Sequence, residues 1–93
     1  MTKLSKGAVL MYLRRSAKAQ TRNDLGIEVK IHASEVSALE AGRRSPGRRL
    51  SLDLKRALGV DPEWWDHDPA APDLAKYERS RKEEREARGR RAA

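Results

Sequence analysis

The chain has 93 residues, of which 38% are hydrophobic and 38% charged, with no cysteine and no phenylalanine. This length suffices for one modest core, and the lack of cysteine excludes disulfides, thiolate metal sites and cysteine nucleophiles. A formal net charge of +7 favours a polyanionic partner. No apolar run is long enough for a signal peptide or a membrane span, so we expect a cytoplasmic protein without a membrane partner.

A first helix is predicted from Ser5 to about Lys18, with Ser5 as its N-cap. Leu10, Leu13 and Ala17 follow one another at helical spacing, so we expect this face of the helix to enter the core. A short link then leads to Thr21.

A second helix is predicted after Thr21, because Asp24 follows it at capping-box spacing. Leu25 and Val29 are four residues apart and therefore share one face of that helix. Gly26 stands next to Leu25, where a side chain would obstruct the partner helix. Ile31 falls in the turn that follows.

A third helix is predicted over residues 32–41, with Val36 and Leu39 on one face and Gly42 as its stop signal. Two short helices joined by a tight turn form a helix-turn-helix, a motif whose second helix lies in a DNA major groove. Alternation of Ile27, Val29 and Ile31 with charged residues also fits a strand. Such a strand would find no second strand to pair with, so the helical interpretation is favoured.

A fourth helix is predicted from the helical spacing of Leu50, Leu54 and Leu58, with Gly59 at its end. A fifth should start at Asp61-Pro62-Glu63, a typical cap followed by proline, and should carry Trp64 and Trp65. We therefore predict an all-α domain of five helices over residues 1–66.

Residues 67–93 are predicted to form a proline-containing linker followed by a charged arm. The arm has helical propensity, but beyond Leu74 and Tyr77 it has no apolar stripe. We therefore expect a solvated helix or a disordered arm that buries no face of its own.

No convergent set of reactive side chains indicates an enzyme. Asp66-His67-Asp68 contains possible metal ligands, but three consecutive residues rarely point at one ion. The segment around Ser45-Pro46 lacks the glycine spacing and the lysine of a phosphate-binding loop. We expect no catalysis, no cofactor, no metal and no small-molecule ligand.

Basic residues are concentrated after the third helix: six lie between Arg43 and Arg56, against the single acid Asp53. Between Asp61 and Asp68 there are four acids and no lysine or arginine. This polarity predicts a nucleic-acid-facing side and a far side. Trp64 and Trp65 fall on the far side and point ~100° apart on a helix. One should cover the core and the other should contact a second copy of the chain.

With these positions fixed, the segment resembles the helix-turn-helix domain of the phage Cro and CI repressors, the Xre-like family. The resemblance rests on Thr21, on Leu25-Gly26, on Ile31, and on the run from Val36 to Gly42. It extends more weakly over residues 5–65. Lys30 departs from the pattern, because a glycine is common at this turn position, and a left-handed backbone there would cost ~1 kcal/mol or more.

The resemblance implies a sequence-specific, double-stranded DNA-binding transcriptional regulator. It would be a small phage or prokaryotic repressor, acting as a homodimer with the 32–41 helix in the major groove. Implied base contacts are His32, Ala33, Ser34, Ser37 and Ala38. Implied phosphate contacts are Thr21, Arg22, Lys30, Arg43, Arg44 and Arg48, and the expected dimer contacts are Trp64 and Trp65.

The family also pairs an arginine of the first helix with the glutamate found here as Glu40. Both Arg14 and Arg15 are candidates, and we favour Arg14 because it follows Leu10 by four residues. An alternative function is a protein-interaction helix-turn-helix, such as an antitoxin or a polymerase-binding adaptor, which would use the small side chains of the third helix. A weaker alternative is RNA binding by the basic arm.

Overall fold

The computed structural model describes residues 4–92 and is helical throughout. The elements are α1 (Lys6–Ala17), α2 (Arg22–Val29), α3 (Ala33–Glu40), α4 (Arg48–Leu58), a 3-10 helix (Pro62–Asp66) and α5 (Ala71–Ala92). No strand occurs within residues 4–92, so the all-α prediction is confirmed and the strand alternative for residues 27–31 is wrong. None of the helices in this range is both long enough and apolar enough to cross a membrane.

The predicted helix starts are confirmed by side-chain caps. Ser5 accepts a hydrogen bond from the Ala8 amide at 3.1 Å, and Asp61 accepts one from the Glu63 amide at 3.1 Å. Each cap satisfies a backbone donor that the first turn of a helix leaves without a partner. At the other end of α4, Gly59 adopts the left-handed conformation (φ 71°) that stops the helix.

The core is aliphatic, and most of its predicted members are buried. Leu25, Val36, Leu39, Leu54 and Leu58 lie within it, together with Val29, Met11 and Val60. The prediction of which residues of α1 face the core is wrong by about one position. Ala8, Met11, Tyr12 and Arg15 are buried, whereas Leu10 and Leu13 are only partly buried and Ala17 is exposed.

The position of α1 at the centre of the fold explains this difference. It packs against α3, α4, α5 and the 3-10 helix, so it is covered on several sides rather than along one stripe. For this reason Leu10 and Leu13 are only partly buried, while residues on other sides of the same helix are fully buried. A prediction that assigns one apolar face to each helix does not apply to a helix in this position.

The C-terminal arm is a packed helix, so the expectation that it buries no face of its own is wrong. Tyr77 is only 5% exposed and contacts Tyr12 of α1 edge to face, with ring centroids 5.1 Å apart. Leu74 packs against the same cluster. The Tyr77 hydroxyl donates a hydrogen bond of 2.6 Å to the carbonyl oxygen of Glu40, the last residue of α3. A few aromatic contacts therefore anchor α5 where no continuous apolar stripe exists.

Candidate nucleic-acid interface

The predicted pair of short helices joined by a tight turn consists of α2, the turn 30–32 and α3. Thr21 and Asp24 form the predicted capping box, with reciprocal hydrogen bonds of 3.0 and 3.1 Å. Lys30 adopts a left-handed conformation (φ 61°, ψ 46°), which confirms that this lysine occupies a position more easily filled by glycine. The turn therefore keeps its tight geometry at some cost in backbone strain.

Gly26 is required by a close approach of the turn to α2. A Cβ atom at this position would lie 2.5 Å from the carbonyl oxygen of Ile31 and 3.5 Å from the amide nitrogen of Ala33. The predicted obstruction is confirmed, and the obstructing atoms are backbone atoms that cannot swing away. Gly26 thus sets how closely α3 docks against α2.

The outward face of α3 is small and polar. Val36, Leu39 and Glu40 point inward and are buried. The predicted base-contacting residues lie on the remaining surface: His32 and Ser34 are exposed, and Ala33, Ser37 and Ala38 are half-buried. This surface has two hydroxyl groups and two methyl groups but no Arg, Asn or Gln, the residues that read guanine and adenine with paired hydrogen bonds.

His32 caps the amino end of α3. Its Nδ1 atom accepts a hydrogen bond from the Ser34 amide at 3.3 Å and lies 3.0 Å from the Ser34 hydroxyl oxygen. One predicted base contact therefore orients another. The Ser34 hydroxyl is left with part of its hydrogen-bonding capacity available to a partner.

Basic side chains lie in the segments just before and just after α3. The predicted phosphate contacts Lys30, Arg43, Arg44 and Arg48 are all exposed, and none forms an ion pair with another residue of the described range 4–92. Thr21 is exposed as well, and its hydroxyl hydrogen remains available because its oxygen acts as the acceptor in the capping box. These groups supply hydrogen-bond donors and positive charge that no described acidic residue neutralises through an ion pair.

A groove beside the turn extends the basic surface toward α4. Its walls contain Lys30, Arg49 and Arg56, with Glu28 and Asp53 as the acidic members. Leu52, on the outer part of α4, is 44% exposed. Arg49 and Arg56 thereby join the positive surface around the motif, although they were not among the predicted contacts.

Glu40 is buried without any exposed area and accepts hydrogen bonds from two arginines. Arg15 donates to it through Nε at 2.6 Å and Nη2 at 3.2 Å, and Arg22 donates through Nε at 2.9 Å. The predicted Arg14–Glu40 pair is therefore wrong, and Arg15 is the partner. Arg14 instead donates to the carbonyl oxygens of Leu58 and Gly59 at 3.1 and 2.6 Å, which ties α1 to the end of α4.

The Arg22 side chain is held by other residues of the protein, whereas a phosphate contact was expected to have a free guanidinium. Its side chain is 16% exposed, and besides Glu40 it pairs with Glu84 of α5 through Nη1 at 2.8 Å. Tyr12 donates to the other Glu84 oxygen at 2.9 Å. The remaining nitrogen of Arg22, Nη2, has no hydrogen-bond partner but is buried, so a phosphate would have to displace one of the two carboxylates to reach the guanidinium.

The Glu84 carboxylate is stabilised in its charged form. Burial by itself raises the pKa of Glu84, but the hydrogen bonds from Arg22 and Tyr12, with the positive charges of Arg22 and Arg81, outweigh burial and lower that pKa. Glu84 therefore remains ionised and connects α5 to the amino end of α2 at neutral pH.

Both tryptophans are half-buried and both pack against the core. The Trp65 ring covers Gly7, where an added Cβ would lie 2.5 Å from the ring. Trp64 stacks with two cations, Lys6 at 4.7 Å and Arg14 at 5.1 Å from its ring centroid. Neither indole is left wholly to a partner, and a dimer contact through their remaining surface stays a prediction.

Two features of the region escaped the sequence analysis: the contact between Glu84 and Arg22, and the bond from Tyr77 to α3. The sequence contains Glu84 only as half of an i,i+4 pair with Arg88, a pair that exists at 3.3 Å. Nothing local to residues 71–92 indicates that they reach α2 and α3. Comparison with protein-family models, curated proteins and solved structures gave no match.

Proposed function

We propose that this protein is a sequence-specific double-stranded DNA-binding regulator of transcription, with α3 in the major groove. The observation that carries the proposal is an outward, small-residue face on α3, flanked in the chain by exposed Lys30, Arg43, Arg44 and Arg48, which form no ion pair with a described residue. A helix of this width fits the major groove, and the surrounding cations match the two phosphate strands that border it.

Recognition would be divided between α3 and its basic surroundings. Ser34 and Ser37 would form hydrogen bonds to base edges, and the Ala33 and Ala38 methyl groups would contact thymine methyl groups. Such contacts discriminate weakly, so the arginines and the shape of the DNA would supply much of the affinity and part of the selectivity. Small side chains also allow the backbone of α3 to approach the bases closely.

We further propose that the protein acts as a homodimer on DNA. Regulators of this architecture bind two half-sites about one helical turn apart, which requires a two-fold axis. Trp64 and Trp65 keep part of their surface uncovered, and they lie within residues 61–68. This segment has the richest share of negative charge in the sequence, opposite in sign to the basic surface. A selected site with two inverted halves would support this stoichiometry.

Selection from random duplex DNA, followed by affinity measurements on single variants, tests the proposal. Arg43→Ala should weaken binding to all sequences about equally and lower the salt slope by about one, because it removes one phosphate contact. Ser37→Ala should leave the salt slope unchanged and alter preference at one base pair in each half-site. Failure of the wild-type chain to enrich any sequence, or altered base preference with Arg43→Ala alone, would refute this docking.

One observation favours the alternative of a protein-interaction module. Ile27 on α2 is 71% exposed, the most exposed large hydrophobic side chain of the described residues. If Ile27 contacts a partner protein, Ile27→Glu should abolish the complex with that partner while leaving DNA affinity unchanged. If α3 instead enters the major groove, Ile27→Glu should reduce DNA affinity only through its added negative charge.

A further inference from the structure

Glu84, in the second half of α5, contacts the amino end of α2. The Glu84–Arg22 ion pair joins the two helices, and a shallow cleft between them is lined by Thr21, Ala87 and Arg88 among others. In the proposed docking, this end of α2 lies at the DNA backbone, because the amides of a helix N-terminus and the exposed Thr21 hydroxyl are suited to bind a phosphate. The cleft therefore opens beside the phosphate strand.

Positive charge exceeds negative charge in this cleft. A single carboxylate, that of Glu84, is shared between Arg22 at 2.8 Å and Arg88 at 3.3 Å. The Arg88 side chain is 69% exposed, whereas that of Arg22 is 16% exposed and is also bound to Glu40. Arg88 is therefore the guanidinium of this cleft that a solvent-side anion can reach.

Beyond Glu86, every charged residue of α5 is positive. After Glu86 the sequence contains Arg88, Arg90 and Arg91 and no acidic residue. The backbone remains helical to Ala92, and at ~1.5 Å per residue this carries the chain ~6 Å past Arg88. Arg88 follows Tyr77, which bonds to the last residue of α3, by 11 positions, so the end of α5 extends away from the start of the α3–α4 loop.

We propose that this end of α5, centred on Arg88, binds backbone phosphates of duplex DNA outside the half-site contacted by α3. The inference rests on the proposed function and extends its contact surface. Arg88 takes the phosphate-binding role that the sequence assigns to Arg22, because Glu40 and Glu84 hold Arg22 in the protein. The α5 contact is independent of base sequence and lengthens the footprint at its outer flank.

The test compares two triple variants of the full chain that each remove three positive charges from α5. R88Q/R90Q/R91Q alters the proposed contact. K76Q/R79Q/K82Q is the control, because its three residues are exposed, precede Glu84 and form no ion pair within the described range. Each protein is titrated with the selected site carrying an extra helical turn of flanking DNA, and with the same site trimmed to its half-sites.

On the flanked duplex, R88Q/R90Q/R91Q should bind several-fold more weakly than the control and show a salt slope lower by about one to three. On the trimmed duplex the two triple variants should bind alike, because the outer phosphates are absent. The charge-conserving variant R88K/R90K/R91K should restore the flanked-duplex salt slope. Thermal midpoints by circular dichroism should agree between the two triple variants.

Equal weakening by both triple variants on the flanked duplex would overturn the inference in favour of a general effect of net charge. So would an undiminished difference on the trimmed duplex, or failure of the lysine variant to restore the slope. These results would leave the proposed function standing if Ser37→Ala still alters base preference. Absence of duplex binding by the wild-type chain would instead overturn the proposed function itself.

Discussion

Glu40 joins three helices, and replacing it by glutamine is the sharpest test of how the domain is held together. The side chain is fully buried and receives three hydrogen bonds from Arg15 and Arg22. Glu40→Gln keeps the size of the side chain and one carbonyl acceptor but removes the negative charge. Arg15, only 6% exposed, then loses the carboxylate that compensates its burial.

Removing one partner of a buried ion pair typically costs ~3–5 kcal/mol, because the remaining charge is left uncompensated. Two contacts in this structure reduce the loss. Arg15 keeps its bond to the Gln20 carbonyl oxygen at 2.7 Å, and Arg22 keeps Glu84 at 2.8 Å. We therefore expect a loss near the lower end, ~3 kcal/mol, which is a large part of the ~5–15 kcal/mol that stabilises a typical domain.

Urea unfolding followed by far-ultraviolet circular dichroism measures this loss. Glu35→Gln is the matched control: it lies on the same helix, is half-buried and forms no ion pair within residues 4–92. It should change the free energy of unfolding by less than ~0.5 kcal/mol. A loss for Glu40→Gln as small as that of the control would refute the argument.

The same measurement separates the two arginines of α1. Arg15→Gln should cost more than Arg14→Gln, because Arg15 bonds a buried carboxylate whereas Arg14 bonds two carbonyl oxygens, each worth ~1 kcal/mol. The reverse order would contradict the observed Arg15–Glu40 pair.

Three further predictions concern the turn and α5. Gly26→Ala should destabilise the fold by ~1–3 kcal/mol, because its Cβ would lie 2.5 Å from a backbone oxygen, while Gly89→Ala, with no atom within 4 Å, should be neutral or stabilising in the same urea assay. Tyr77→Phe should cost ~1–3 kcal/mol in thermal unfolding by leaving the Glu40 carbonyl without its 2.6 Å donor, and a loss near zero would mean that water replaces the hydroxyl. Because the folded protein lowers the pKa of Glu84, its stabilising effect is complete above the ordinary value of 4.5 and is lost as pH falls through the lower folded-state pKa. Thermal midpoints measured across this acidic range should fall less steeply with decreasing pH in Glu84→Gln than in the exposed neighbour control Glu83→Gln.

Local signals in the sequence predict α2, α3 and the tight turn between them, and the structure contains all three. Thr21 and Asp24 bond across a single turn, and Gly59 stops α4 through its own backbone conformation. The small outward face of α3 also follows from residues only three or four apart, once Val36 and Leu39 are assigned to the core. Each of these features depends on neighbours within one or two helical turns.

Long-range packing, by contrast, sets which arginine of α1 meets Glu40 and which residues α5 contacts. Arg14 and Arg15 differ by ~100° of helix rotation, and α1 is covered on several sides, so its apolar pattern does not fix that rotation. The packing of α5 depends on Tyr77 and Glu84, which contact residues 37 and 62 positions earlier in the chain. Such contacts leave no periodic signal in residues 71–92, because their energy comes from a few bonds to groups that only folding brings near.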